Sequence, residues 1–339
     1  MYECRYDFDS NGGTTGNDYM RMAEGFASFA PYMPARTLDK SPPAIHRPPL
    51  TLALARRHLR PARPNPLTPT QAPGNHESHN NYSQYTARFA GVAANAGANS
   101  GSGSALYYSV DVGLVHWVFF STEPYWSQLD IVVPQLNWLK ADLAAANANR
   151  AAVPWIVAAG HKAWMMDNNG ACAGGASCTN ASWYDDLFHS HGVDLLFVGH
   201  MHEYRRFAPA YGTRGLVDTQ ALSPDMHTYT DPSYLISITS GVVGCPEVQP
   251  ASCGGPTPSD PTNPTAACSR NYGFGYLTVH NSSHASWFWR TSQVPCKTPP
   301  TARRRPLTLA LTGVSPLSRT VFRMRARRSP STRTHSSSW

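Results

Sequence analysis

Two periodicities govern where apolar side chains fall along this chain, and the switches between them mark out its elements. Trp155–Ala159, an unbroken apolar run, and Val193–Val198, apolar but for Asp194, are each closed by glycine and histidine, the pattern of strands covered on both faces. Tyr107–Ser121 is long enough for one or two core strands, while Leu235–Thr239, Gly275–His280 and Ala285–Arg290 read as strands closing a second sheet. Between them the spacing becomes helical. Asn17 or Asp18 can cap a helix that carries Met22, Phe26 and Phe29 on one face, and Pro134 suits the first turn of another with Leu136, Leu139 and Leu143. Ser182 and Asp185 open a third helix that ends near Gly192. Strands alternating with helices predict a layered α/β domain. No run reaches the roughly 18 apolar residues of a membrane-spanning helix.

The polar residues that follow these runs carry the chemistry. Gly74-Asn75-His76-Glu77, Gly160-His161 and Gly199-His200-Met201-His202 put four histidines and an asparagine into loops, the last two strings directly after strand-like runs. Loops at the carboxyl ends of sheet strands can bring neutral imidazole nitrogens and hard oxygens together, as a pair of metal ions requires. His200 and His202, two residues apart in extended chain, are expected to point the same way.

The strings resemble the metallophosphoesterase superfamily and, within it, the purple acid phosphatases. Tyr6-Asp7-Phe8-Asp9-Ser10-Asn11-Gly12-Gly13, Tyr108-Ser109-Val110-Asp111-Val112-Gly113 and the stretch Gly199–Phe207 extend the likeness from about Tyr2 to Ser292, with one interruption. The family's ordered motifs are GDxG, GDxxY, GNHE, GHxxxY and GHxHxY, set around an iron(III) and a second divalent ion. The resemblance implies an αββα sandwich of two sheets. It implies that Asn75, His161 and His200 hold the divalent ion (zinc, manganese or iron(II)), that Tyr6 and His202 hold the iron, and that Glu3 stands where a bridging aspartate belongs. His76 would face the substrate, steadying the phosphate and helping to protonate the leaving oxygen. Arg206 or Arg205 could meet the phosphate, a solvated role being the alternative.

The chain also departs from that pattern. Glu3 is one methylene longer than the aspartate it replaces, and GDxG has no counterpart, so the sandwich is expected to lack its first strand. Met165 occupies the tyrosine position of GHxxxY, and Arg205 replaces a usual glutamate after the last motif. On these grounds the chain as written is expected to be weakly active or inactive, and not purple.

Charge changes the picture of the domain. Pro34–Gln71 holds seven Lys and Arg against one acid, Asp39, and Lys297–Trp339 holds ten and no acid. The other 258 residues keep 11 basic and 20 acidic side chains, so the formal +7 conceals a body of −9. Both basic segments are rich in Pro, Arg, Ser and Thr, and both contain Pro-Leu-Thr-Leu-Ala-Leu, at Pro49–Leu54 and Pro306–Leu311. Without useful periodicity they read as low-complexity insertions or translated non-coding stretches, in preference to a basic arm for nucleic acid or an anionic membrane. The expected organisation is a catalytic domain over 1–33 and 72–296, an insertion over 34–71, and a basic disordered tail over 297–339.

Seven cysteines and sequons at Asn81, Asn180 and Asn281 point to a secreted, secretory or vacuolar protein. Cys172 and Cys178 could staple the loop after His161, Cys245, Cys253 and Cys268 cluster in another loop, and Cys4 is the candidate odd thiol. No signal peptide precedes Tyr2, as expected of an N-terminally truncated form of a secreted protein. The function expected is acid hydrolysis of small phosphate monoesters at a dinuclear centre, with no nucleic-acid partner and no membrane span. A metal-dependent phosphodiesterase or nucleotidase, and a degenerate phosphate-binding homologue, are the alternatives.

Overall fold

The computed structural model describes residues 71–123, 129–164, 176–241, 256–260, 263–291 and 319–324, with Thr14 and Asn17. A kinked helix, α1 (His79–Arg88), precedes an antiparallel hairpin of β1 (Tyr108–Val112) and β2 (Val115–Phe119). Helix α2 (Val132–Ala148) then carries the chain over to β3 (Trp155–Ala159), and α3 (Ala176–Ser190) to β4 (Leu195–Val198), with β2, β3 and β4 parallel. Parallel neighbours need such crossovers, and the helices supply them.

Each residue of β3 and β4 is buried, and alternation sorts them onto two faces. Trp155, Val157, Leu195 and Phe197 face one apolar cluster, whereas Ile156, Ala158, Leu196 and Val198 face another that includes Leu139 and Leu143 of α2 and Tyr184 and Phe188 of α3. Pro134 lies in the first turn of α2, and Leu136 is partly buried beside the fully buried Leu139 and Leu143. Helix α3 ends at Ser190, and the chain turns at Gly192, as expected. It starts at Ala176, earlier than expected, and Ser182 and Asp185 lie inside it. Asp185 is no cap. Its Oδ2 accepts from the backbone N of Thr213 at 2.9 Å and from Thr213 Oγ1 at 2.8 Å, a tertiary tie that sequence spacing could not separate from a helix start.

After β5 (Tyr204–Phe207) come a small pair, β6 (Ala210–Tyr211) and β7 (Leu216–Val217), then β8 (Thr228–Thr230), β9 (Ile236–Ser240) and β10 (Thr265–Ser269). The main sheet has the order β1-β2-β3-β4-β9-β5-β10. The run expected to help close a second sheet is therefore β9, parallel to β4 in the middle of the first. Its residues alternate apolar and polar, the pattern of a strand covered on one face, yet Ile236, Ser237, Ile238 and Thr239 are all buried, so nothing in the sequence signalled its place inside the main sheet.

The second sheet is formed by β11 (Gly273–Val279), β12 (His284–Thr291) and β13 (Arg319–Arg323), in the order β11-β12-β13-β8. It packs on the main sheet through aromatic side chains. Trp287 meets Phe197 with ring centres 4.9 Å apart, and Trp289 stacks on Tyr204 at 4.3 Å with planes 10° apart. Such pairs add about 0.5–1.5 kcal/mol each beyond the area they bury. The observed architecture is a mixed α/β sandwich of two sheets, with α2 and α3 on the outer face of the larger and α1 packed into the cluster between the sheets.

Two expected boundaries move. Strand β13 belongs to the segment read as a disordered tail, yet it pairs antiparallel with β12 and parallel with β8, and Phe322 is fully buried against Tyr229. Thr320 and Phe322 alternate inward while Val321 and Arg323 turn outward, a strand pattern hidden by the surrounding arginines. Gln71, the last residue of the expected insertion, belongs to the body: Tyr108 Oη lies 2.7 Å from its backbone N and 2.9 Å from its carbonyl oxygen. The remainder of both basic segments, and the helix with Met22, Phe26 and Phe29, lie outside the described residues, although Asn17 itself is helical.

Candidate metal centre

The carboxyl ends of β2, β3, β4 and β9 lie along one edge of the main sheet, where His161 follows β3 and His200 and His202 follow β4, while the Gly74–Glu77 turn comes from ahead of α1. The Gly74–Glu77 turn is closed twice, by the Glu77 backbone N donating to the Gly74 carbonyl at 3.1 Å and by the Gly74 N donating to Glu77 Oε2 at 2.8 Å. Glu77 thus folds back over the turn it ends, a role the sequence reading missed although a carboxylate three residues on is the usual partner of an exposed backbone N–H. Ser78 Oγ donates to the Asn75 carbonyl at 2.7 Å. The side chain of Asn75 is left aimed across the gap.

There its Oδ1 lies 2.7 Å from His161 Nε2. The approach requires glycine at 74, because a Cβ there would fall 2.9 Å from three atoms of the His161 ring. His161 is fixed from the backbone as well: its carbonyl accepts from Gly199 N at 2.8 Å, and Gly160 N donates to the Phe197 carbonyl at 3.0 Å. The loops after β3 and β4 are thereby laced together, and the rings of His161 and His200 meet edge to face with centres 5.1 Å apart.

His200 is not in extended chain. Its φ is +63°, and backbone bonds from Met201 N to the Gly199 carbonyl at 2.7 Å and from Glu203 N to the Met201 carbonyl at 2.8 Å turn the chain out of β4 and back into β5. The two histidines of this string are placed by successive tight turns, not by the alternation of a strand. Burial, followed by the positive charges of Lys162, His202 and His76, pushes the His200 pKa down to about 4. A neutral imidazole lone pair is therefore kept for a ligand well into acid, and His76 and His202 are close enough to be felt there.

Asn75, His161 and His200 come together here, and a carboxamide oxygen with imidazole nitrogens is a donor set that suits zinc, manganese or iron(II). Among the described residues no three of His, Cys, Asp and Glu come together as a group that could hold a metal ion. Glu3 and Tyr6, expected beside His202 at the iron, lie outside the described residues, as does Met165. Arg206 is a correction. It is fully buried, and its Nη1 donates to Tyr229 Oη at 2.5 Å, between the sheets, so it does not meet a phosphate that arrives from solvent. Arg205 is equally buried and pairs through Nε with Glu203 Oε1 at 2.7 Å, beside His202.

Residues 49–204, which include every histidine of the centre, match the family model for calcineurin-like phosphoesterases, and residues 234–295 match that for the iron/zinc purple acid phosphatase-like protein C. Acid phosphatase type 7 of mouse is 29% identical over 290 residues and that of human 29% over 294, each covering 82% of this chain and 54% of the relative. Purple acid phosphatase 21 of Arabidopsis thaliana is 36% identical over 149 residues, 42% of this chain and 31% of its own length. The chain spans about half the length of the acid phosphatase type 7 relatives it matches. Among solved structures, purple acid phosphatase PPD1 from yellow lupin seeds aligns over 68% of this chain and 36% of its own, at 17% identity and a TM-score of 0.48.

Proposed function

Because the chain carries a calcineurin-like phosphoesterase segment followed by a purple acid phosphatase-like C-terminal segment, and so belongs with the metallophosphoesterases, we propose that it hydrolyses phosphate monoesters in acid at a dinuclear metal centre. The observation that carries the reading is the meeting of Asn75, His161 and His200 at the end of the parallel strands. These three would hold the divalent ion, zinc, manganese or iron(II), His202 with Tyr6 would hold iron(III), and Glu3 stands at the bridging position between them. When bound, such a pair supplies Lewis acidity toward phosphate oxygens.

The protein's own groups do the rest. The bonds from Glu77 and Ser78 fix the Asn75 turn, so the carboxamide is oriented before an ion or a substrate arrives. His76, one residue on and half-buried, is placed to steady the phosphate and hand a proton to the leaving oxygen. Burial keeps His200 unprotonated down to about pH 4, which suits a centre that must keep its ligands in acid. A secretory or vacuolar location is supported by the exposed sequon residues Asn81 and Asn281.

The test is p-nitrophenyl phosphate hydrolysis at pH 5 by the full chain loaded with iron and zinc. A slow, metal-dependent rate is expected, and Glu3→Asp, which restores the shorter bridging carboxylate, should raise it by about tenfold or more, in line with the cost of disturbing groups around a bound metal. Faster turnover of bis-p-nitrophenyl phosphate would favour the diesterase. No turnover by either protein, with both metals bound, would contradict the enzymatic reading and leave a phosphate-binding one.

A further inference from the structure

We infer that Lys162 and Glu123 form a positioning pair for His161, one that holds the divalent-ion ligand at its working distance from Asn75; the inference rests on the metal-centre reading above. Lys162 directly follows His161, and it is anchored twice to the four residues that leave β2, 120–123. Its backbone N donates to Thr122 Oγ1 at 2.8 Å, and its ammonium donates to Glu123 Oε2 at 3.0 Å. The side chains are 11% and 3% exposed, so the pair is buried. Gly160, on the other side of His161, lies so close to the same stretch that a Cβ would come within 2.8 Å of Thr122 Cγ2 and 2.9 Å of the Phe120 ring. The chain on both sides of His161 is thus pressed onto 120–123, and the ring is left with the gap toward Asn75.

Stability alone does not account for the pair. Replacing a buried ion pair by apolar groups is often neutral or favourable, because taking two charges out of water costs about as much as their attraction returns. What this pair adds is direction and compensation. The carboxylate fixes where the loop after β3 lies, and it offsets an ammonium that would otherwise face a site built for cations. Each link runs between segments about 40 residues apart, which is why no local pattern in the sequence betrays it.

The experiment is calorimetric titration of zinc alone into the full metal-free chain, for wild type, Lys162→Arg, and the double variant Lys162→Met with Glu123→Gln, which leaves neither charge unpaired. The double variant should bind zinc about tenfold more weakly, the scale seen for groups that orient metal ligands, with the unfolding temperature of the metal-free protein close to that of wild type. Lys162→Arg, which can still reach the carboxylate, should restore most of the affinity. Wild-type affinity in the double variant would overturn the inference. So would an affinity that falls only in step with a lower metal-free unfolding temperature, without rescue by arginine. If the wild type itself binds no zinc, the metal-centre reading fails and the inference goes with it.

Discussion

His116 is held between two carboxylates, with Nδ1 2.6 Å from Asp111 Oδ1 and Nε2 3.0 Å from Asp142 Oδ2. Burial works against its charged form, but the hydrogen bonds and charges of Asp142 and Asp111 outweigh that, and its pKa is raised. Burial pushes Asp185 up as well, to about 6, against the hydrogen bonds from Thr213. Both groups bind their proton more tightly folded than unfolded. Their contribution is therefore complete below the unfolded values, about 6.5 for the imidazole and about 3.9 for the carboxyl, and is lost as pH rises through the folded ones. His200, pushed down, works the other way as pH falls below its unfolded value. His116→Gln isolates one of the three: it should cost about 1–2 kcal/mol at pH 5.5, where the charged hydrogen bonds exist, and much less at pH 8.5. Urea unfolding at the two pH values measures this, and an equal loss at both would mean that charge on His116 does not matter. At this scale the proposed ligands Asn75, His161 and His200 were legible because each follows a glycine in a short, recognisable string. The left-handed turn at His200 and the burial of Arg206 were not, since both depend on how β4 turns back into β5.

Among the elements, periodicity located β3 to the residue and α2 to its buried leucines, because one layer covers each face and the pattern has nothing else to satisfy. It failed where partners are remote. The start of α3 was hidden by Ser182 and Asp185, which resemble caps locally, and β9 went to the wrong sheet because a strand's own residues do not say which neighbour it pairs with. Strand β13 was lost among arginines, yet it completes the second sheet between β12 and β8. Its anchor gives a direct check. Phe322 is fully buried beside Tyr229, ring centres 5.5 Å apart, so Phe322→Ala should destabilise the protein by about 3–5 kcal/mol, the usual cost of emptying a buried phenyl site. Chemical denaturation reads the change, and a loss under about 0.5 kcal/mol, the scale of a surface substitution, would show that this part of the basic segment does not pack.

For the whole molecule, two sheets are locked by tryptophans while the edge formed by the carboxyl ends of β2, β3, β4 and β9 is given over to loops. Division of labour follows from that: the core fixes the strand ends, the ends of β3 and β4 fix Gly160 and Gly199, and the side chains beside these and beside Gly74 form the proposed metal site. The acidic body concealed under a formal +7 is a property of charge distribution, and it bears on solubility rather than on fold. Everything functional depends on whether Asn75, His161 and His200 bind an ion together. The most direct measurement is elemental analysis of the full chain after loading with zinc or manganese and removal of the excess, beside His200→Ala prepared in the same way. Metal retained by the wild type and lost from His200→Ala is the expected outcome; equal metal content in the two proteins would contradict the assignment of this centre.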